Sequence, residues 1–176
     1  MTLVCLIGRH GSGKSTIGTQ LAAQGYRHIS AGLLRRLAQS RQYPSDVPAG
    51  LISAMGRERP GALLSLATAR RLVAHACTSP LTVLDGFPAA PEQIALLPPD
   101  TLFCLVWAPA ALRGHRLASR AATTQRQWQP GRASGREAAL AHLIAHLRCM
   151  RRCLFVRNAG AAGMTAADLL AKIART

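Results

Sequence analysis

The chain is poor in acids, in lysine and in aromatic residues. Asp and Glu number 7 against 22 Lys and Arg, a formal charge of +15 over 176 residues. Lys14 and Lys172 are the only lysines, so arginine carries nearly all of the positive charge. Arginine suits planar, bidentate recognition of phosphate and carboxylate. A polyphosphate pocket, a nucleic-acid surface and a compositional bias all fit that excess. The arginines are spread over several segments, without interleaved aromatics or a compact basic tail, which argues against nucleic acid as the partner. No apolar run approaches the roughly 20 residues of a membrane span. The N-terminal run from Leu3 to Ile7 is too short for a signal peptide, so a soluble cytoplasmic protein without a membrane partner is expected. Cys5, Cys77, Cys104, Cys149 and Cys153 are odd in number and contain no Cys-x-x-Cys pair, which excludes a zinc ribbon or a disulfide frame and predicts reduced, mostly buried thiols. His142 and His146 share a helix face at i, i+4, but no third metal ligand accompanies them.

What is present is concentrated near the N-terminus. Gly8-Arg9-His10-Gly11-Ser12-Gly13-Lys14-Ser15, followed by Thr16, joins an apolar strand (Leu3 to Ile7) to a helix from Thr16 to Ala23. Strand, glycine loop and helix in that order make a P-loop. Gly8, Gly11, Ser12 and Gly13 let the backbone curl so that successive N–H groups face phosphate oxygens. The helix N-terminus adds partial positive charge. Lys14 then reaches the β- and γ-phosphates, and Ser15 and Thr16 complete the nucleotide site, with the Ser15 hydroxyl a Mg²⁺ ligand. The implied cofactors are ATP and magnesium. His10, within the loop, is a further position from which a substrate can be touched.

Along the chain, Tyr26 to Ile29 reads as a second strand, and Ser30 as the N-cap of a helix from Ala31 to Ser40. Arg41 to Ala49 reads as a loop, Leu51 to Met55 as a helical turn ended by Gly56, and Pro60 as the first residue of a helix to Cys77. Leu81 to Asp85 and Thr101 to Trp107 are further buried strands, with Trp107 taken as packing, and a short helix lies between them from Pro91 to Leu97. Pro109 opens a helix to Arg120; Ala121 to Ser134 is a loop. A helix from Gly135 to Cys149, a strand from Cys153 to Arg157 and a helix capped by Thr165 complete the chain. Strands alternating with helices predict a three-layer α/β/α domain around a five-stranded parallel sheet. Ligands belong at the carboxyl ends of such strands, where the P-loop lies. Asp85, ending an apolar strand, is the acid expected to hold Mg²⁺ directly or through water.

The segments Leu84-Asp85-Gly86-Phe87-Pro88 with Gln93, His28-Ile29-Ser30-Ala31-Gly32-Leu33-Leu34-Arg35-Arg36, Met55-Gly56, the pair Arg116 and Arg120, and Gly131-Arg132 resemble the adenylate kinase family, over essentially the whole chain. The resemblance implies a nucleoside monophosphate kinase using ATP and Mg²⁺. It implies that Ser30, Gly32, Arg36, Gly86, Phe87 and Gln93 form the acceptor site, Arg36 gripping a phosphate and Gln93 reading a base. It implies that Lys14, Arg116, Arg120 and Arg132 act on the transferring phosphate. Residues 31 to 60 would cover the acceptor, residues 121 to 133 would form a lid with Trp128 in it, and the turn from Asn158 to Gly160 would lie near the donor adenine.

The departures from that family pattern fall in the acceptor half and in the lid. Ala89 stands where the family has a phosphate-binding arginine. Ala31 and Leu33 replace threonine and aspartate, and Ala133 and Ser134 replace the aspartates after the lid arginine. Each lost charge-assisted ligand costs roughly 1.5–3 kcal/mol. Three other readings therefore stand beside the first. One is a kinase for another small molecule, since Gly13 to Gly18 is also similar to shikimate kinases. The second is a regulatory nucleotide binder without kinase activity. The third, an NTPase associated with nucleic acid, rests only on the charge.

Overall fold

The structure, a computed structural model, describes residues 2–124, 135–150, 152–159 and 164–173. Its centre is β1 (Thr2–Ile7), a strand apolar on both faces. It pairs in parallel with β3 (Leu81–Asp85) on one side and β4 (Leu102–Trp107) on the other. Strand β2 (Arg27–Ser30) extends the sheet beyond β3, and β5 (Cys153–Arg157) beyond β4, giving the all-parallel order β2-β3-β1-β4-β5.

Side chains alternate across a strand, so a continuous apolar run serves two cores at once. Leu3, Cys5 and Ile7 join one core with residues of α2 (Ala31–Gln39), α3 (Ala49–Arg57), α4 (Leu66–Ala76) and α6 (Gly135–Arg148). Val4 and Leu6 join the opposite core with Ile17 and Leu21 of α1 (Lys14–Ala22) and Leu169 of α7 (Met164–Ile173). Helices on both faces make the three layers. The remaining helix, α5 (Ala110–Thr124), buries Leu117 beside the loop that follows β1. No helix among the described residues is long and apolar enough to cross a membrane.

The local differences from expectation lie mostly around residues 48–65. The helix after Pro60 begins only at Leu66, because Ser65 takes the cap. Its Oγ accepts from Thr68 N at 3.3 Å, while Glu58 Oε1 accepts from Ser65 N at 3.1 Å and from its Oγ at 2.7 Å. The chain from Glu58 to Ser65 is thereby held as a loop, with Gly61 at a φ of 77°. Gly56 does not end the preceding helix. It lies within α3 where α2 passes, and a Cβ there would stand 3.6 Å from Ala38 O. The stretch from Pro91 to Leu96 is a 3₁₀ turn rather than an α-helix. Trp107 is not core packing: it is 53% exposed, with the Arg157 guanidinium 5.6 Å above its ring. All five cysteines are free. Cys5 and Cys104 are buried, and burial pushes the Cys104 thiol up to about 12; Cys149 is exposed.

Candidate functional site

The carboxyl ends of β1 and β3 bring together residues far apart in sequence. Their parallel register sets Leu6 opposite Asp85, so the loop leaving β1 starts beside the acid that ends β3. That loop runs from Gly8 to Gly13 and enters α1 with Gly13 as its N-cap, at a φ of 93° in the left-handed region glycine tolerates. A Cβ on Gly8 would strike Val106 O, and one on Gly13 would strike Asn158 Nδ2, so both glycines are also required by close approach. Lys14 Nζ donates to Gly8 O at 2.8 Å and Arg9 O at 3.0 Å, spanning the loop it follows. Ser15 Oγ donates to Asp85 Oδ2 at 2.7 Å, across 70 residues of sequence. Asp85 is buried and Ser15 exposed, so the pair lies at the boundary between the sheet and the space above it.

That space is a cleft of about 320 Å³. One wall is the loop, with Gly8, His10, Gly11, Gly13, Lys14, Ser15 and the Asp85 carboxylate. The other is the start of α2, with Ser30, Gly32, Arg35 and Arg36. The turn Gly86, Pro88 and Ala89 forms the floor between them, and Pro60, Gly61 and Arg120 stand at its edge. Four side chains in this lining are cationic and, among the described residues, only Asp85 is acidic. Clefts of one sign focus charge and favour anionic ligands.

Ser15 Oγ and Asp85 Oδ2 are hard oxygens already in contact, with a phosphate cradle beside them. That donor set suits Mg²⁺, which binds through one or two protein oxygens and completes its shell with water and phosphate. No cluster of three or more His, Cys, Asp or Glu is found among the described residues, so His142 and His146 gain no third ligand.

Of the residues the sequence singled out, Gly8, Gly11, Gly13, Lys14, Ser15, Ser30, Gly32, Arg36, Gly86, Asp85 and Arg120 line this one cleft. Ser30 Oγ also caps α2, accepting from Leu33 N at 3.3 Å. Others are placed elsewhere. Ser12 is buried beneath the loop, Thr16 faces solvent on α1, and Phe87 is a core residue, 1% exposed. Gln93 is 3% exposed, and both ends of its amide are engaged: Oε1 accepts from Ala89 N at 2.8 Å and Nε2 donates to Leu64 O at 3.2 Å. Arg116 holds the outer side of the loop, donating to Gly11 O at 3.4 Å and to Asn158 Oδ1 at 3.3 Å. Residues 121–124 of the expected lid, read as loop, instead continue α5 to Thr124, and the rest of the lid, residues 125–133 with Arg132, lies outside the described residues.

Three residues carry parts of the site in roles that the sequence reading did not give them, Asn158 having been expected near the donor adenine. Asn158 is a loop anchor, its Nδ2 donating to Ser12 O at 2.8 Å and its backbone N to Trp107 O at 2.7 Å. His28 lies against Gly18 of α1, where any Cβ would meet its ring; burial lowers its pKa and the Asp85 charge partly offsets that. Arg35 is buried at 8% exposure and lines the cleft. Its signal in the sequence was its position on the stripe Ala31, Leu34, Arg35 and Ala38, a spacing that faces a core.

No family model and no curated protein sequence matches this chain. Solved structures do. A gluconokinase from Sinorhizobium meliloti 1021 superposes with a TM-score of 0.61 at 18% identity, over 99% of this chain and 92% of its own. A sugar kinase from Janibacter sp. HTCC2649 gives 0.62 at 18% identity, over 99% and 95%. The chain therefore has the parallel α/β fold of these two kinases. That relationship is broader than the likeness to adenylate kinases in its motifs.

Proposed function

We propose that the protein is an ATP- and magnesium-dependent phosphotransferase whose acceptor is a hydroxyl of a small sugar-like molecule. The observation that carries this reading is the cleft, which sets Lys14, Ser15 and Asp85 against Arg35, Arg36 and Arg120 in about 320 Å³. Phosphoryl transfer needs positioning and charge neutralisation more than covalent help from the protein. The N–H groups of the Gly8 to Gly13 loop and the N-terminus of α1 hold the phosphates, and Lys14 neutralises the β- and γ-oxygens. Magnesium, when bound, would offset the charge on the β- and γ-phosphates, held by Ser15 Oγ and the Asp85 carboxylate. Arg36 and Arg120 would hold anionic groups of acceptor and donor, a role that the resemblance also gives Arg132. The acceptor oxygen bonds to the γ-phosphorus as the bond from that phosphorus to the bridging oxygen breaks. ADP leaves and the hydroxyl proton passes to water. Residues 31 to 60 cover the acceptor side and keep bulk water from competing.

Two features favour a sugar-like acceptor over a nucleoside monophosphate. The Gln93 amide, which the adenylate kinase resemblance would assign to a base, is engaged at both ends within the protein. Ala89 removes one phosphate ligand from the floor of the cleft. The names of the two structural relatives, a gluconokinase and a sugar kinase, support the same choice. The monophosphate kinase reading keeps one observation of its own, the position of Arg36 on the cleft wall.

The test is ADP release from Mg·ATP against a panel of aldoses, alditols, aldonic acids and the four ribonucleoside monophosphates. Stimulation by a member of the sugar group, lost in Lys14→Ala, is the expected result. Stimulation by a monophosphate alone would return the protein to the nucleotide kinases. Nucleotide binding without turnover on any acceptor would make it a regulatory binder.

A further inference from the structure

Arg35 is an unusual side chain to find on the buried stripe of a helix. It shares that stripe with Ala31, Leu34 and Ala38, and it is 92% shielded from solvent by its 8% exposure. A guanidinium placed there must have its N–H groups satisfied, or the burial is costly. Nη1 is satisfied: it donates to Ala62 O at 2.8 Å. Nη2 is buried and has no hydrogen-bond partner among the described residues. Glu58 is the carboxylate whose charge Arg35 feels, but its Oε1 already accepts from both Ser65 N and Ser65 Oγ.

The residue that carries this unsatisfied group borders two spaces. Arg35 lines both the main cleft and a recess of about 20 Å³ behind it, and Gly32, Gly86 and Ala89 line both as well. The recess is large enough for about one oxygen-sized group. The rest of its lining is Ala31, Leu63, Leu64 and Phe87 with Ala62, so Arg35 is its only charged side chain among the described residues. A longer residue in place of Ala89 would stand at the mouth between the two spaces.

Resting on the proposed phosphotransferase reading, we infer that Arg35 is the acceptor-specificity residue: its Nη2 receives a carboxylate oxygen of the acceptor at the recess beside Ala89, so the acceptor is a sugar acid rather than a neutral sugar. The anion supplies the missing hydrogen bond and a negative charge in direct contact, where Glu58 acts on Arg35 without a hydrogen bond to it. A hydroxymethyl group supplies only the hydrogen bond, whereas a carboxylate adds the attraction between opposite charges in a site largely shielded from water.

The experiment separates binding from turnover. Equilibrium titrations with C3 to C6 aldonates, each paired with its alditol (glycerate with glycerol, ribonate with ribitol, D-gluconate with D-glucitol), use the whole chain loaded with Mg²⁺ and a non-hydrolysable ATP analogue. Wild type is expected to prefer at least one acid over its paired alditol by roughly 10- to 100-fold, the range of a charge-assisted hydrogen bond. Arg35→Gln should cost the acid at least about tenfold more affinity than it costs the alditol or the nucleotide, so that the acid preference is lost. Arg35→Lys, which keeps the charge and guards against a folding defect, should restore part of it. No acid preference in wild type, or equal losses for acid, alditol and nucleotide in Arg35→Gln, would overturn the inference and make Arg35 a strap for the loop at Ala62. ADP release is read in parallel. An Arg35-dependent acid preference without ADP release leaves the inference standing and removes the transferase reading. ADP release that ignores both the carboxylate and Arg35 does the reverse.

Discussion

Gly13→Ala tests how the phosphate loop is held, without requiring an acceptor. Gly13 has a φ of 93°, and a side chain in the left-handed region costs about 1–2 kcal/mol. The new methyl would also fall on Asn158 Nδ2. Asn158 is buried, donates to Ser12 O at 2.8 Å and accepts from Arg116 Nη2 at 3.3 Å. Displacing it leaves buried polar groups unsatisfied, at about 1–3 kcal/mol. Gly13→Ala should therefore lose about 2–5 kcal/mol, and Asn158→Ala alone about 1–3 kcal/mol. With Asn158 truncated, the next neighbour of the methyl is Arg116 Nη1 at 3.5 Å, an ordinary contact. The double variant should then lose little more than Gly13→Ala alone, a coupling of about 1–3 kcal/mol that a double-mutant cycle measures directly. Urea unfolding followed by circular dichroism is the assay. At this chain length 1 kcal/mol shifts Tm by roughly 2–4 °C, so thermal melts should show the same pattern. Strict additivity of the two single losses would refute the steric argument and leave backbone strain as the sole role of Gly13.

Asp85→Asn should raise the half-saturating Mg²⁺ concentration for nucleotide binding by roughly 10- to 100-fold, through loss of a charged ligand beside Ser15. Calorimetry at varied Mg²⁺ checks this, and an unchanged magnesium dependence would exclude Asp85 from the metal site. Ser65→Ala removes the cap of α4 and one anchor of Glu58, and should cost about 0.5–2 kcal/mol in urea unfolding without changing nucleotide affinity. His28 and His75 both have pKa values lowered from the ordinary 6.5, His28 by burial and His75 by burial and then by the Arg27 charge. The unfolded chain therefore binds protons first, so the stability they contribute is full above pH 6.5 and is lost as pH falls below it. Urea midpoints measured from pH 7.5 to about 5.5 should decline, and less steeply in His75→Gln; parallel profiles would rule out that histidine.

What was legible in the sequence is what the backbone encodes. Gly8, Gly11 and Gly13 are fixed by loop curvature and close approach, and the Lys14–Ser15 pair by the helix that follows, so the shape of the loop follows from its own residues. Asp85 was legible because it ends an apolar strand, and parallel register brings it to Ser15. The elements around residues 48–65 were less legible because their boundaries depend on long-range hydrogen bonding. Pro60 is a plausible first residue of a helix, but Glu58 bonds Ser65, Arg35 bonds Ala62 O, and the helix waits until Leu66. Trp107 looked like core at the end of a buried strand, since nothing local says that the last position of β4 opens to solvent.

The acceptor half was obscured for a reason particular to side chains. Successive helix residues point about 100° apart, so Arg35 and Arg36 cannot hold a ligand in the same way even though both line one cleft. The sequence marks both as cations and the resemblance selects Arg36. Burial separates them: Arg36 is exposed, while Arg35 is enclosed with one N–H group bound at Ala62 and another unsatisfied. Gln93 makes the complementary point. Its spacing from Asp85 fits the adenylate kinase motif, but its amide closes the turn at Ala89 and ties it to Leu64, so a matching spacing here serves the floor of the cleft. Charge excess alone left a polyphosphate pocket, a nucleic-acid surface and a compositional bias open. Among the described residues Arg35 is the one buried arginine, and on the inference above it sets which anion is preferred, because an exposed arginine binds phosphate, carboxylate or solvent at similar cost and so discriminates little.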